Sequence, residues 1–324
     1  MAPVLTKPAL VFFIEGVQTV LPDSLVAFYI FLALICSILT ILTFLLSTMN
    51  KVYHANLKKL YQLGVLSWFL LIVSKTLVLV TQQYFLFEDG PDPSGLALLY
   101  TSAFFRYLYV FFFTATPLSI VIERSFATLY LVDYEKRSRR WIFWLIFLLN
   151  LSAGLAASCL VVQQIVTILV FSIHVLAHIL LAIILYTSVS LYNSRKYRFL
   201  ENHHRETTYT LSIKYQLKEN LVTLRSMRNL LLVILIAILL VFLSYLVPAL
   251  LRMETQSTWK IHVFVDIIYH FSPLYTAPAC LFFIPQNREL VASKLGFSRP
   301  TNRVLHVNES DVYFNMFQKS LSVK

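Results

Sequence analysis

Apolar residues gather into seven stretches of mostly hydrophobic sequence, near 25–47, 61–82, 97–130, 141–161, 166–191, 230–251 and 261–284, with polar connections between them. A bilayer core about 30 Å thick takes about 20 residues of helix, so each stretch has the length of one crossing. The fourth and fifth are divided by little more than Gln163 and Gln164. A single helix through both would be far longer than the membrane is thick, so a tight turn near Val162–Thr167 is expected. Between the fifth and sixth stretches lies the longest polar connection, from Tyr192 to Asn229. Its second half carries Ile213, Leu217, Leu221 and Leu224 at steps of four, four and three, one face of a helix running into the sixth span. After Pro285, the segment to Phe297 sets Leu290, Val291, Leu295 and Phe297 among Arg288 and Lys294, which predicts a short amphipathic helix on the membrane surface over 285–297. The expected organisation is an all-α, integral membrane bundle of seven transmembrane helices over 25–284. An extracellular N-terminus covers 1–24 and a disordered cytoplasmic tail 298–324.

Composition agrees with lipid as the solvent. Of 324 residues, 58% are hydrophobic and 13% charged, and the mean hydropathy is +0.71. So little charge cannot clothe a water-facing globule of this size, which sets aside both a cytosolic enzyme and a disordered protein. None of the six glycines stands in a G-x-G or G-x-x-x-x-G-K arrangement, so phosphate-cradling loops are not expected. Cys36, Cys159 and Cys280 sit in apolar runs and read as small packing residues. Lys7 precedes only a short apolar run, Ala9 to Ile14, before Glu15, so the N-terminus reads as retained rather than cleaved.

The formal charge of +11 would suit nucleic acid, until its placement is considered. Of the 24 Lys and Arg in loops and termini, Lys7, Arg252 and Lys260 fall on one side of the bundle and 21 on the other. Such asymmetry marks the cytoplasmic face and accounts for the charge without a nucleic-acid partner. It places the N-terminus outside and the C-terminus in the cytoplasm.

Ionisable groups within spans are costly and point to function. Lys75, Arg106 and Asp266 lie toward the outer ends of spans two, three and seven, with His270 one turn below Asp266. Two cations, an acid and an imidazole at similar depth could line a ligand pocket for a small anionic or polar molecule, Arg106 being the best suited to direct contact because its fork grips a carboxylate or phosphate. The other reading makes Asp266 a structural partner of one of the cations. Glu123 and Arg124 lie 17 and 18 positions beyond Arg106, about 26 Å further along the same helix. His174 and His178, at i and i+4 in span five, could face one metal ion, but no further ligand stands near in sequence and interhelical hydrogen bonding is the simpler role. No cofactor or metal site is expected. Nor does any paired-carboxylate or Ser/His constellation suggest catalysis.

Three segments carry a resemblance. The stretch Ile122-Glu-Arg-Ser-Phe-Ala-Thr-Leu-Tyr-Leu-Val-Asp-Tyr-Glu-Lys136, followed by Arg139, Arg140 and Trp141, resembles nematode serpentine chemoreceptors of the Sra superfamily. Tyr215-Gln-Leu-Lys-Glu-Asn220 before span six and Ile284-Pro-Gln-Asn-Arg-Glu-Leu290 after span seven are similar to further signatures of the same group, with the Sre (serpentine receptor class epsilon) family nearest. The resemblance covers all seven spans. It implies a G-protein-coupled receptor in the plasma membrane of chemosensory neurons, binding an environmental small molecule and signalling to a heterotrimeric G protein, with Glu123 and Arg124 as its activation switch. The chain departs from the rhodopsin-like pattern: span seven has Ser272-Pro273-Leu274-Tyr275 and Pro278 in place of Asn-Pro-x-x-Tyr, the outer end of span three has no Cys, and span two offers Lys75 rather than an Asp.

Two rival classes are a seven-span transporter and a ligand-gated channel. A transporter of the repeat type would show matching halves and broken helices meeting at the midplane, and no such repeat is visible. A channel of the insect odorant-receptor kind would hold its N-terminus inside, against the charge asymmetry. Epitope tags at both ends, stained before and after permeabilisation, test the orientation: the N-terminal tag should label intact cells, and a C-terminal tag visible on intact cells would reverse the assignment.

Overall fold

A computed structural model describes residues 23–49, 54–84, 86–87, 90–91, 93–131, 139–202, 211–251 and 268–294. The elements are helices α1 (Asp23–Met49), α2 (Ala55–Leu66) and α3 (Trp68–Tyr84), then β1 (Leu86–Phe87) and β2 (Gly90–Pro91). They are followed by α4 (Pro93–Leu129), α5 (Arg140–Val162), α6 (Ile168–Asn202), α7 (Leu211–Leu251), α8 (Ser272–Phe283) and α9 (Pro285–Lys294). The two strands pair antiparallel over two residues each. The chain divides into Met1–Asn287, which holds the bundle, and Arg288–Lys324, of which the last turns of α9 are described.

Among the described residues six helical segments are long and apolar enough to cross a membrane: Val26–Met49, Ala55–Thr81, Ser94–Leu129, Arg140–Val162, Val170–Leu200 and Gln216–Ser244. The start of the expected seventh span, 261–267, lies outside the described residues. From there Ile268–His270 is helical, Phe271 interrupts, and α8 continues. Pro273 fits the interruption, because it stands in the first turn of α8, where a proline is tolerated, and has no N–H to donate to the Tyr269 carbonyl and carry the preceding turn through. Apolar side chains face outward, Leu34 at 59% and Leu149 at 60% exposure among them. Water would not tolerate such a surface; lipid does.

The apolar runs mark the membrane portion of helices that are longer. Helix α6 runs on to Asn202, and α7 begins at Leu211, well before the apolar run at 230. Leu217, Leu221 and Leu224 of that extension are buried, so packing rather than lipid holds its first turns. Between α5 and α6 the chain turns at Gln163–Thr167, where Gln164 takes φ 62° and the amides of Ile165 and Val166 bond to the Leu160 carbonyl. That closes the open end of α5 in the manner of a left-handed helix cap.

Helix α4 is the axle. It packs against α2, α3, α5, α6 and α7, and Tyr109, Phe111, Ile120, Val121 and Glu123 along it are almost fully buried. Two glycines let neighbours approach it. A Cβ at Gly64 would lie 2.7 Å from Thr116 Oγ1, and one at Gly154 would lie 2.9 Å from Phe111 Cδ1 and 3.2 Å from Leu108 Cδ1. Close approach at small residues is how helices pack where no hydrophobic drive distinguishes helix from lipid. Phe111 cannot easily yield, since His174 stacks on its ring at 6.0 Å and His178 meets it edge-on at 5.7 Å. Gly154→Ala should therefore destabilise the detergent-solubilised protein by about 1–3 kcal/mol, the usual cost of overpacking, although Ala is the better helix former. Thermal unfolding followed by tryptophan fluorescence checks this, and an unchanged or raised midpoint would show that Phe111 has room to move.

Candidate functional site

The basic end of α4 carries a polar node. Glu123 and Arg124 are sequence neighbours whose side chains leave a helix about 100° apart, yet Arg124 curls back onto its neighbour. Its Nε donates to Glu123 Oε2 at 2.6 Å and its Nη2 to Oε1 at 2.8 Å. The remaining arm, Nη1, donates to Asn220 Oδ1 of α7 at 3.0 Å. One turn further along α4, the Thr128 hydroxyl donates to the Arg124 carbonyl at 2.9 Å. Its oxygen accepts from Asn193 Nδ2 of α6 at 3.0 Å and, more weakly, from Asn220 Nδ2 at 3.4 Å. His54 Nδ1, at the head of α2, lies 3.7 Å from Glu123 Oε1.

Burial gives the node its strength. Glu123 and Asn193 have no exposed surface, and Arg124, Asn220 and Thr128 are buried too. A bidentate guanidinium–carboxylate pair is among the stronger hydrogen-bonded units. Removing one partner of a buried pair strands the other charge, at a cost of about 3–5 kcal/mol. The node thus fastens α6 and α7 to α4 by polar bonds made at one level, and any rearrangement that parts α7 from α4 must release the Arg124–Asn220 bond.

Toward the other end, the expected cluster is partly assembled. Asp266 lies outside the described residues. Lys75 and His270 meet through a residue that sequence did not single out, Tyr29 of α1: Lys75 Nζ stands 5.3 Å above its ring and the His270 imidazole meets it edge-on at 5.4 Å. The His270 carbonyl accepts from Trp68 Nε1 at 3.0 Å. Arg106 is buried on the face of α4 that also holds Ser102 and Tyr109. Ser102 bonds Ser74 of α3 at 3.0 Å, and the Tyr109 hydroxyl bonds Ser272 Oγ at 2.9 Å. That face therefore lies between α3 and the start of α8, and places Arg106 on the same side of α4 as the elements bearing Lys75 and His270. Glu123 and Arg124, about 26 Å away along α4, belong to a separate site.

His174 and His178 stand with ring centroids 4.4 Å apart and both pack on Phe111. Among the described residues no group of three or more His, Cys, Asp or Glu could hold a metal ion. The sequence reading missed Asn193, Thr128, Tyr29 and Trp68 as parts of these sites. Asn220 was not singled out as a site residue either, though it carried a signal: it sits three positions after Leu217, on the buried stripe of α7 itself, where an amide has no reason to be unless something bonds it. Tyr29 and Trp68 are aromatic residues in apolar runs and carry no such signal.

The fold is thus an all-α seven-transmembrane bundle of the G-protein-coupled-receptor kind, with a buried acid–arginine pair at the end of its third span. Comparison with known proteins gives the family. The profile described as "Sre G protein-coupled chemoreceptor" matches residues 9–322. Serpentine receptor class epsilon-21 of Caenorhabditis elegans is 30% identical over 293 residues, covering 84% of this chain and 78% of that protein. Serpentine receptor class epsilon-38 of the same organism is 23% identical over 308 residues, covering 83% of this chain and 84% of its own. The chain belongs to the Sre family of multi-pass membrane chemoreceptors, a receptor family rather than an enzyme family.

Proposed function

We propose that this chain is a chemosensory receptor at the plasma membrane of a sensory neuron, with its N-terminus outside and its C-terminus in the cytoplasm. It binds a small anionic or polar molecule in the outer bundle and signals to a heterotrimeric G protein at the basic end. The observation that carries the reading is the Arg124 node, which joins spans three, five and six where a G protein would have to separate them. A bistable element biased by a local charge pair is the general form of such a switch. At rest Glu123 holds two arms of Arg124 and Asn220 the third.

The outer site is formed on this reading by Lys75, Arg106 and His270, with Tyr29 in contact with Lys75 and His270 and Asp266 as its acid. Arg106 is the group for direct contact with the ligand, since a guanidinium fork binds a carboxylate or phosphate in two places. Placing such side chains within the membrane costs insertion free energy, as much as a few kcal/mol per charge near the bilayer centre. Ligand recognition supplies a reason for that cost to be borne.

A ligand screen in G-protein reporter cells supplies the agonist, and two sets of variants then test the two ends. At the basic end, Glu123→Gln and Asn220→Leu should raise basal signalling, while Asn220→Asp, which sets a charge against the guanidinium, should lower it. Arg124→Ala should abolish coupling at a normal surface level. Full agonist-driven signalling by Arg124→Ala would reduce the node to a structural tie between α4 and α7 instead.

At the outer end, Arg106→Gln should weaken the agonist response by about tenfold or more, equivalent to about 1.4 kcal/mol, with basal activity and surface level unchanged. If that variant fails to reach the surface and neutralising Asp266 restores it, the cluster is a structural ion pair and the ligand is bound elsewhere.

A further inference from the structure

At the basic end of the bundle, away from the Arg124 node, two cations are seated over aromatic rings with no acid to answer them among the described residues. Arg139, immediately before α5, lies with its guanidinium carbon 3.7 Å from the Tyr130 ring centre. Tyr130 stacks on Phe126 at 6.4 Å with an interplanar angle of 5°, and Trp141 closes on Phe126 edge-on at 5.8 Å. The Arg139 backbone is fixed as well, because its carbonyl accepts from Asn56 Nδ2 of α2 at 3.0 Å. Asn56 is buried, so residue 139 is pinned to α2.

Lys59 stands one turn from Asn56 on α2, and its Nζ lies 5.4 Å from the ring centre of Phe143. Phe143 in turn is four residues from Arg139 on α5. The two contacts, Asn56 to Arg139 and Lys59 to Phe143, are thus successive rungs between the same two helices, about 5 Å apart along the axis. Among the described residues neither Lys59 nor Arg139 has a carboxylate partner. Among the described residues the buried Arg139 Nε has no hydrogen-bond partner, an arrangement that is rare in native proteins and calls for an explanation. Lys58, by contrast, is answered within the chain, donating to the Thr48 carbonyl at 3.2 Å.

We propose that Lys59 and Arg139 form a binding site for the phosphate headgroup of an anionic membrane lipid, in the seam between α2 and α5. One face of the guanidinium is occupied by Tyr130, which leaves its N–H edges to meet two phosphate oxygens, while the ammonium supplies a second charge one turn away. The lipid rather than a soluble anion is favoured by what flanks the seam. Trp141 and Trp144 are 49% and 52% exposed beside it, and indole rings of this kind sit at the boundary between headgroup and acyl chain. Such a lipid would brace α2 against α5 beside the Arg124 node, whose His54 and Glu123 contact lies at the head of the same α2. The proposal rests on the chain being a membrane bundle and is independent of ligand recognition and of G-protein coupling.

Native mass spectrometry of the full-length protein, released from micelles doped with phosphatidylserine or with phosphatidylcholine, tests it without agonist or G protein. The wild-type protein should retain phosphatidylserine preferentially, and Lys59→Gln/Arg139→Gln should weaken that retention roughly tenfold. Lys196→Gln/Lys214→Gln, which removes the same charge from α6 and α7, should not. Should the first double variant fold poorly, Arg139→Lys keeps the charge but loses the fork, and a several-fold loss is expected from it alone. Equal losses from the two double variants would reduce the site to general attraction between a basic surface and an acidic bilayer, overturning it. Displacement of the lipid by glycerophosphoserine or inorganic phosphate at comparable concentration would overturn the lipid assignment in favour of a soluble phosphate.

Discussion

Hydrocarbon offers no hydrogen bond to a polar side chain, and that constraint orders the interior of this bundle. Most hydroxyls within the spans turn back on their own helix: Thr40 to the Cys36 carbonyl at 2.8 Å, Thr43 to Leu39 at 2.7 Å, Thr76 to Ile72 at 2.9 Å, Thr116 to Phe112 at 2.7 Å. A hydroxyl satisfied in this way needs no acceptor on a neighbour, though its oxygen can still accept, as those of Ser119 and Thr128 do. The bonds that cross between helices therefore carry the information. Asn150 of α5 reaches Ser119 of α4 at 2.7 Å, Ser102 reaches Ser74, Tyr109 reaches Ser272, and Asn193 and Asn220 converge on Thr128. Each ties another helix to α4. Interhelical bonds of this kind average about 0.6 kcal/mol in membranes, too little to hold a fold singly, so packing around α4 supplies the bulk and the polar ties fix which faces meet.

The same constraint explains how much of the fold is legible in the sequence. Lipid demands long apolar helices, so the spans announce themselves in the sequence and the all-α bundle follows directly. Charge is rare enough that Glu123, Arg124, Lys75 and Arg106 stood out by depth alone. What hid was pairing across helices. Nothing in a linear pattern says that Tyr29 lies beneath both Lys75 and His270, because an aromatic residue in an apolar run is ordinary and its partners are more than 45 residues distant. Asn193 was legible only as the end of an apolar run, since no periodic stripe surrounds it as one surrounds Asn220. The lengths of α6 and α7 beyond the membrane were half legible: the stripe of Ile213, Leu217, Leu221 and Leu224 predicts the start of α7, while the extension of α6 to Asn202 is polar and carries no comparable period.

How the two ends of α4 would communicate follows from where its neighbours are broken. Helix α2 gives way to α3 at Ser67, whose hydroxyl donates to the Gly64 carbonyl at 2.7 Å. Span seven breaks at Phe271, and α4 itself holds Pro117, which leaves the Phe113 carbonyl without its helical donor. These joints are linked to one another. Trp68, the first residue after the Ser67 break, donates to the carbonyl of His270, the last residue before the Phe271 break. Gly64 lies against Thr116, next to Pro117, and Ser272, just past the Phe271 break, bonds Tyr109 on α4. A shift of His270 or Lys75 at the outer site thus acts on Tyr29 and Trp68 first, and through Trp68 on the joint that adjoins Pro117. Rigid helix would carry such a displacement unchanged, whereas a proline joint lets the two halves of α4 reorient, which would move Arg124 away from Asn220 while the packed core around Tyr109 and Phe113 stays closed.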